Sequence, residues 1–389
     1  MSIAGRSLIS LKDFTTEQIQ AILALASRMA EAIGLDGTEG RGALAPMDRI
    51  LATLFFEPST RTRLSFESAM LRLGGQVLGF ADAKASSASK GESLADTVLI
   101  VSGYCDIIVI RHPLMGAAKV ATDAVAVPVI NAGDGPHEHP TQTLTDLFAL
   151  TQVRGTLAGL RVGLCGDLKY GRTVHSLAPV LARFGSEVVC IAPQALQMPE
   201  EVLADVESIS GKRPVLTEDL AGSLEGLDAL YMTRIQQERF ASASEYEQWR
   251  GVYVLTPELM ERAPEDMIVL HPLPRVDEIH PDVDRDPRAW YFRQAHGGVP
   301  VRMALISLLL GLEPWQPKGR KYGLDVGPAV QSGEAAADAG TPREVIQDAP
   351  SCGRTGCVTS VYPHLAAQAY RLADGRLTCA YCENVLPGQ

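Results

Sequence analysis

The strongest constraint on this chain is an alternation: short apolar strand patterns, each followed by a polar cluster and then by a helical period. Strand patterns fall near 49–55, 76–80, 107–111 and 127–131, with helical patterns near 62–73, 92–104, 115–124 and 140–153. After Gly155 a second set begins, with strands near 160–165, 187–192, 227–232 and 267–271 and helices between them. Two βα runs of similar size predict two α/β domains, each a doubly wound, largely parallel sheet with right-handed crossovers. A helical pattern over 287–310, interrupted by Gly297-Gly298 and Pro300, predicts a broken helix that passes back toward the first domain.

At 389 residues the chain exceeds what a single core supports, so more than one domain is expected. Its longest apolar run near that end, Met303 to Leu310, is too short to span a bilayer, and Met1 to Arg6 lead into polar sequence without a secretory apolar region. A cytoplasmic location with no membrane partner is therefore expected. The net charge of −11 argues against nucleic acid as a partner. It also means that an anionic ligand must be captured by a local group of arginines.

Such groups recur after the strands, where open α/β sheets bind ligands. Ser59-Thr60-Arg61-Thr62 follows the first strand and opens a helix. A helix start crowded with hydroxyls and arginines is an anion site, because its first N–H groups lack intrahelical partners and the dipole favours negative charge. Arg111-His112-Pro113 follows the third strand, and His139-Pro140-Thr141-Gln142 lies beyond the fourth. In the second set, Gly171-Arg172, Thr233-Arg234-Ile235-Gln236 and His271-Pro272-Leu273-Pro274-Arg275 hold the equivalent places. Their convergence in one interdomain cleft is expected, and that much guanidinium suits more than one carboxylate or phosphate.

From Glu313 the composition turns to Gly, Ala, Pro and Asp without a sustained apolar period, which predicts a linker over 313–350. Beyond it, Cys352-x4-Cys357 and Cys379-x2-Cys382 have the spacing of a four-thiolate zinc site. Strands near 366–372 and 376–380, joined at Asp374-Gly375, would bring the two pairs together. One structural zinc per chain is expected, and so small a segment needs the metal to fold. His364 is a further ligand type in that segment, though four cysteines already complete a tetrahedron. Cys105, Cys165 and Cys190 stand singly in apolar patterns and read as small buried hydrophobes.

Phe55-Phe56-Glu57-Pro58-Ser59-Thr60-Arg61-Thr62-Arg63, Arg111-His112-Pro113 and His139-Pro140-Thr141-Gln142 resemble the carbamoyl phosphate signature of the aspartate and ornithine carbamoyltransferases. Gly166-Asp167-Leu168-Lys169-Tyr170-Gly171-Arg172, Tyr231-Met232-Thr233-Arg234-Ile235-Gln236 and His271-Pro272-Leu273-Pro274 resemble the aspartate branch. The resemblance covers roughly 5–312. The cysteine tail is similar to the zinc domain of the separate regulatory chain of bacterial members, here fused to a catalytic chain.

The resemblance implies a carbamoyl phosphate domain over 1–154, an aspartate domain over 155–312 and a β-rich zinc domain over 351–389. It implies transfer of the carbamoyl group from carbamoyl phosphate to the α-amine of L-aspartate, an early step of pyrimidine biosynthesis, with no catalytic cofactor. A different amine acceptor, or a non-catalytic assembly role, are the alternatives. By matching position, Ser59, Thr60, Arg61, Thr62, Ser86, Lys90, Arg111, His139 and Gln142 would bind carbamoyl phosphate. Arg61, Thr62, Lys90, Arg111 and His139 would act in catalysis, and Lys90, Arg172, Arg234, Gln236, Leu273 and Pro274 would bind aspartate. Lys84 to Glu92, rich in Ala and Ser, reads as a mobile loop; the resemblance makes it a loop given to a neighbouring subunit's site within a homotrimer.

Overall fold

A computed structural model describes residues 2–35, 47–236, 242–312, 344–347, 349–350, 352–362, 365–372 and 374–386. Most of the expected linker, 313–343, and His364 lie outside them. The described residues divide into two compact units, one made of 2–141, 299–312 and 344–386, the other of 142–298.

The first unit holds a parallel sheet of β1 (Ile50–Phe55), β2 (Gln76–Phe80), β3 (Ile107–His112) and β4 (Val129–Asp134) in the order β2-β1-β3-β4. Strands β1, β3 and β4 are mostly apolar and almost wholly buried, as strands covered on both faces must be. Helices α1 (Thr16–Ala32), α2 (Thr60–Arg72), α3 (Leu94–Ser102) and α4 (Ala117–Ala124) belong to this unit. The capping box at the start of α1 forms: Thr15 accepts from the Gln18 N–H and the Gln18 side chain accepts from the Thr15 N–H. Helix α5 (Pro140–Arg154) carries the chain into the second unit.

That unit holds a five-stranded parallel sheet: β5 (Arg161–Cys165), β6 (Glu187–Ile191), β7 (Val215–Thr217), β8 (Ala229–Met232) and β9 (Ile268–Leu270), ordered β7-β6-β5-β8-β9. Strand β7 has no counterpart in the sequence reading. It is three residues long, mostly exposed and at the sheet edge, so it leaves no apolar run to detect. Helices α6 (Arg172–Arg183) and α7 (Glu200–Ser210) follow β5 and β6. Helix α8 (Tyr291–Leu309) runs unbroken through Gly297, Gly298 and Pro300, contrary to the expected interruption. Gly297 has a packing reason to be small: a Cβ there would stand 3.0 Å from the Phe148 ring.

The cysteine tail forms an antiparallel sheet of β10 (Val345–Ile346), β11 (Ala369–Arg371) and β12 (Leu377–Cys379). Strand β10 falls within the stretch read as linker; two residues are too few for a periodic signal. The tail belongs to the first unit and packs on α4 and the loop before it. Met115 donates its N–H to the Gly356 carbonyl at 3.0 Å and accepts from Val358 N at 2.9 Å. Cys357, Val358 and Tyr381 share one apolar cluster with Met115, Ala117, Ala118 and Ala121. Gly116, at φ 83, is where the two pieces come closest: an added Cβ would lie 2.5 Å from Tyr381 Cβ.

Candidate active site

In a parallel sheet every strand ends on the same edge, and a cleft opens where neighbouring strands send their connections to opposite sides. In the first unit that switch point is between β1 and β3, which lie side by side with Phe55 opposite Arg111. Ser59 to Thr62 follow β1, Arg111 closes β3, and His139 follows β4 on the other side of β3. Ser59 is the N-cap of α2, in extended backbone and without a side-chain capping bond, so the helix start presents its N–H groups beside Thr60, Arg61 and Thr62. Thr62, Arg111 and His139 are buried, while Thr60 and Arg61 are exposed.

The partners of these groups were not all foreseen. Arg111 donates through Nη2 to Glu57 Oε1 at 2.9 Å and through Nη1 to the Ala132 carbonyl at 3.2 Å. An ion pair and a carbonyl on separate nitrogens fix the guanidinium plane, leaving its other N–H groups to a ligand. Glu57 lies two residues beyond the end of β1, and its pairing depends on the β1–β3 register. His139 Nδ1 lies 3.4 Å from Thr141 Oγ1. The turn before His139 is organised by Asp134, which is 1% exposed. Its carboxylate accepts from Gly116 N, Asn131 Nδ2 and Glu138 N and meets His137 Nδ1 at 3.0 Å.

His112 is a structural histidine. Its Nδ1 accepts from Leu114 N at 3.0 Å, its ring packs on Phe56, and burial lowers its pKa to about 4 against the pull of Asp134 and Glu57. Ser86 caps two consecutive 3-10 turns, Ala83–Ala85 and Ser87–Lys90, and Lys90 ends the second, so the segment read as a mobile loop has local helical structure. The Ser86 hydroxyl donates to the Ala83 carbonyl, and Lys90 is exposed.

In the second unit the switch point is between β5 and β8. Gly166 ends the β5 turn at φ 119, where a Cβ would stand 2.2 Å from the Thr233 carbonyl oxygen, so only glycine lets the two loops approach. Arg172 opens α6 and Arg234 follows β8. Gln236 bonds through Nε2 to the Tyr170 carbonyl at 3.2 Å, and its N–H meets the buried Asp167 carboxylate at 3.4 Å. Its side chain thus ties the β8 loop to the β5 loop. Asp167 also accepts from Tyr170 N, and burial raises its pKa.

Leu273 and Pro274 follow β9. Leu273 has a left-handed backbone (φ 54) and donates its N–H to His271 Nδ1 at 2.8 Å. His271 Nδ1 is therefore an acceptor, and the ring's proton sits on Nε2, 2.6 Å from Glu278 Oε1. The other Glu278 oxygen accepts from Val276 N and Asp277 N, so one buried carboxylate organises this loop. Gln142, on α5, donates Nε2 to Asp146 Oδ1 at 2.8 Å, which leaves its Oε1 as the acceptor. Asp146 also receives Gln294 Nε2 and the Tyr231 hydroxyl. His175 Nε2 meets the Leu168 carbonyl at 2.7 Å.

Cys352, Cys357, Cys379 and Cys382 are buried, with all four Sγ atoms within 4.8 Å of one another. Cys352 and Cys382 are 3.5 Å apart and Cys357 and Cys379 4.0 Å, beyond any S–S bond. Thiolates around a tetrahedral zinc stand about 3.8 Å apart, from a Zn–S distance of about 2.3 Å, so the four residues fit that ion. Thr359 Oγ1 lies 3.2 Å from Cys357 Sγ, and Asn384 Nδ2 is placed to donate to Cys352 Sγ. The single cysteines differ: burial pushes Cys105 up to about 11 and Cys190 to about 12, and raises Cys165 as well, so they remain thiols.

Comparison with known proteins covers the same two units. Residues 6–152 match the family described as aspartate/ornithine carbamoyltransferase, carbamoyl-P binding domain, and residues 158–309 match its Asp/Orn binding domain. The aspartate carbamoyltransferase catalytic subunit of Thermococcus onnurineus is 52% identical over 314 residues, 80% of this chain and 99% of that protein. The catalytic subunit of Clostridium novyi is 51% identical, over 80% of this chain and all of its own length. Among solved structures, the catalytic subunit of M. jannaschii aspartate transcarbamoylase superposes with a TM-score of 0.72 at 45% identity, covering 79% of this chain and 98% of its own. Aspartate transcarbamoylase from Trypanosoma cruzi, solved with N-(phosphonacetyl)-L-aspartic acid, gives 0.74 at 41% identity, covering 79% and 97%. The second family match ends at residue 309, short of the cysteine tail.

Proposed function

The chain belongs to the aspartate/ornithine carbamoyltransferase family, as a carbamoyltransferase acting on L-aspartate, and from that premise we propose how its residues divide the work. The α-amine of aspartate attacks the carbonyl carbon of carbamoyl phosphate; N-carbamoyl-L-aspartate forms and phosphate leaves. The amine belongs to the substrate, so no protein nucleophile is needed, and the departing phosphate accepts the amine proton.

Ser59, Thr60, Arg61 and Thr62 hold the phosphate at the start of α2, with Ser86 and Lys90 supplied by a neighbouring subunit of a trimer. Thr62, Arg111 and His139 donate to the carbonyl oxygen as it gains charge; one such oriented donor is worth about 3–4 kcal/mol. Arg61 steadies the leaving dianion. Gln142 accepts from the carbamoyl amide through Oε1, an orientation supported by the commitment of its Nε2 to Asp146. Arg172 takes the α-carboxylate of aspartate and Arg234 its β-carboxylate. Leu273 and Pro274 contribute backbone, Lys90 a further charge, and Gln236 supports Arg234 indirectly by tying its loop to Tyr170. Zinc held by the four cysteines gives the tail its fold and takes no part in the chemistry. The reaction serves pyrimidine synthesis in the cytoplasm.

The observation that carries this reading is Arg111, fixed by Glu57 and the Ala132 carbonyl beside a helix start of Ser59, Thr60, Arg61 and Thr62. Phosphate release from carbamoyl phosphate, followed with aspartate, ornithine and other amines, tests it. Aspartate alone should support turnover. Equal rates with ornithine, or no turnover with any amine, would reject the assignment.

A further inference from the structure

Carbamoyl transfer makes no use of a cluster where the cysteine tail meets the turn leading to His139. His137, Glu138 and Glu383 each bring one ligand-type atom, and these atoms lie within 4.8 Å of one another. Two come from the turn after β4 and the third follows Cys382, so distant parts of the chain converge within the first unit.

Asp134 decides what His137 can offer. Its buried carboxylate lies 3.0 Å from His137 Nδ1, so Nε2 is the nitrogen left for a metal; against the effect of burial, Asp134 raises the His137 pKa to about 9, so an ion bound there displaces the Nε2 proton. Nε2 is buried and, among the described residues, has no hydrogen-bond partner. A carboxylate oxygen of Glu138 and one of Glu383 lie within 4.8 Å of a His137 ring nitrogen. Ligands each about 2.1 Å from one ion stand up to about 4 Å apart, so atoms within 4.8 Å of one another need only a small inward shift to share an ion.

Charge points the same way. Three carboxylates meet here, those of Asp134, Glu138 and Glu383, and Lys12 Nζ lies 2.5 Å from Glu383 Oε2. Ser10 donates to Glu138 Oε1 at 2.9 Å, which still leaves each glutamate lone pairs for a metal. One imidazole with two carboxylates is a harder donor set than four thiolates and suits Zn²⁺, Co²⁺ or Mn²⁺.

We propose that His137, Glu138 and Glu383 form a second divalent-cation site, separate from the four cysteines, that ties the tail to the turn carrying His139. Full-length protein is loaded with Co²⁺, dialysed, and analysed for metal and by absorption. The wild type should hold two ions per chain. One gives intense thiolate-to-metal bands in the near ultraviolet, the other only weak visible bands without thiolate character. His137→Asn and Glu383→Gln should each keep the thiolate bands and fall to one ion. Circular dichroism checks each fold, and Glu138→Gln replaces a variant that fails that check. A single ion in the wild type, with water or a proton at Nε2 instead, overturns the proposal. Two ions retained in the variants overturn it equally.

Discussion

His112 offers a test of the interior of the first unit that does not depend on activity. The side chain is 6% exposed, its Nδ1 accepts from Leu114 N, and burial holds its pKa at about 4, below the ordinary 6.5. A histidine with a lowered folded-state pKa is protonated first in the unfolded chain. Its contribution to stability is therefore complete above about pH 6.5 and is lost as pH falls from there toward 4. At about 1.4 kcal/mol per pH unit, the loss reaches about 2 kcal/mol at pH 5 and about 3 kcal/mol at pH 4. His112→Gln keeps an acceptor for Leu114 N but cannot titrate.

Urea unfolding of both proteins at pH 7.5 and pH 5 gives the comparison, with the cysteine site affecting the two alike. The wild type should lose about 2 kcal/mol more than the variant over that range. A carbon-13 or nitrogen-15 titration of the His112 ring should show no transition above about pH 5. Identical pH dependence in the two proteins, or a ring that titrates near 6.5, would refute a buried neutral imidazole.

Three further outcomes follow from the sites. Arg61→Ala should lower kcat by several orders of magnitude with the circular dichroism unchanged, and mixing it with Lys90→Ala before reassembly should restore part of the activity; no rescue would count against a shared site. Arg234→Ala should raise the KM for aspartate by the equivalent of about 2–5 kcal/mol while leaving carbamoyl phosphate binding nearly unchanged, and equal damage to both substrates would contradict its role. Gly116→Ala forces a Cβ into a space 2.5 Å from Tyr381, so it should destabilise the docked tail and speed zinc loss to a chelator, measured by metal release; wild-type release rates would show that the contact is dispensable.

The strands that carry the site were legible because each is an apolar run closed by a polar cluster: Ile107–His112 ends in Arg111, and Ala229–Met232 precedes Thr233-Arg234. Parallel pairing then puts those ends on one edge of each sheet without any tertiary detail. The partners were not legible. Glu57, Asp134, Asp146 and Glu278 are single carboxylates with no period to mark them, and each acts through register, a turn or, for Asp146 on α5, contacts with Tyr231 and Gln294 that the sequence does not display. Which acid faces Arg111 depends on Phe55 standing opposite it, a one-residue matter. The helix over Tyr291–Leu309 failed in the opposite direction: Gly-Gly and Pro suggested a break, yet the helix passes through them, and Gly297 is small because Phe148 lies against it.

The tail raises a different point about local and long-range control. Arg111, at the end of β3, and Met115, which exchanges hydrogen bonds with Gly356 and Val358, belong to one short connection. Gly116 follows at once and donates to Asp134, and Asp134 closes the turn whose next residues are His137, Glu138 and His139. A displacement of the tail is thus felt within a few bonds at two groups assigned to the carbonyl oxygen. Oriented donors are sensitive to small displacements, since a shift of about 1 Å is enough to cost about a hundredfold in rate. A metal held by the four cysteines would need no contact with substrate to influence turnover; it would need only to hold Met115 and Gly116 where Asp134 requires them.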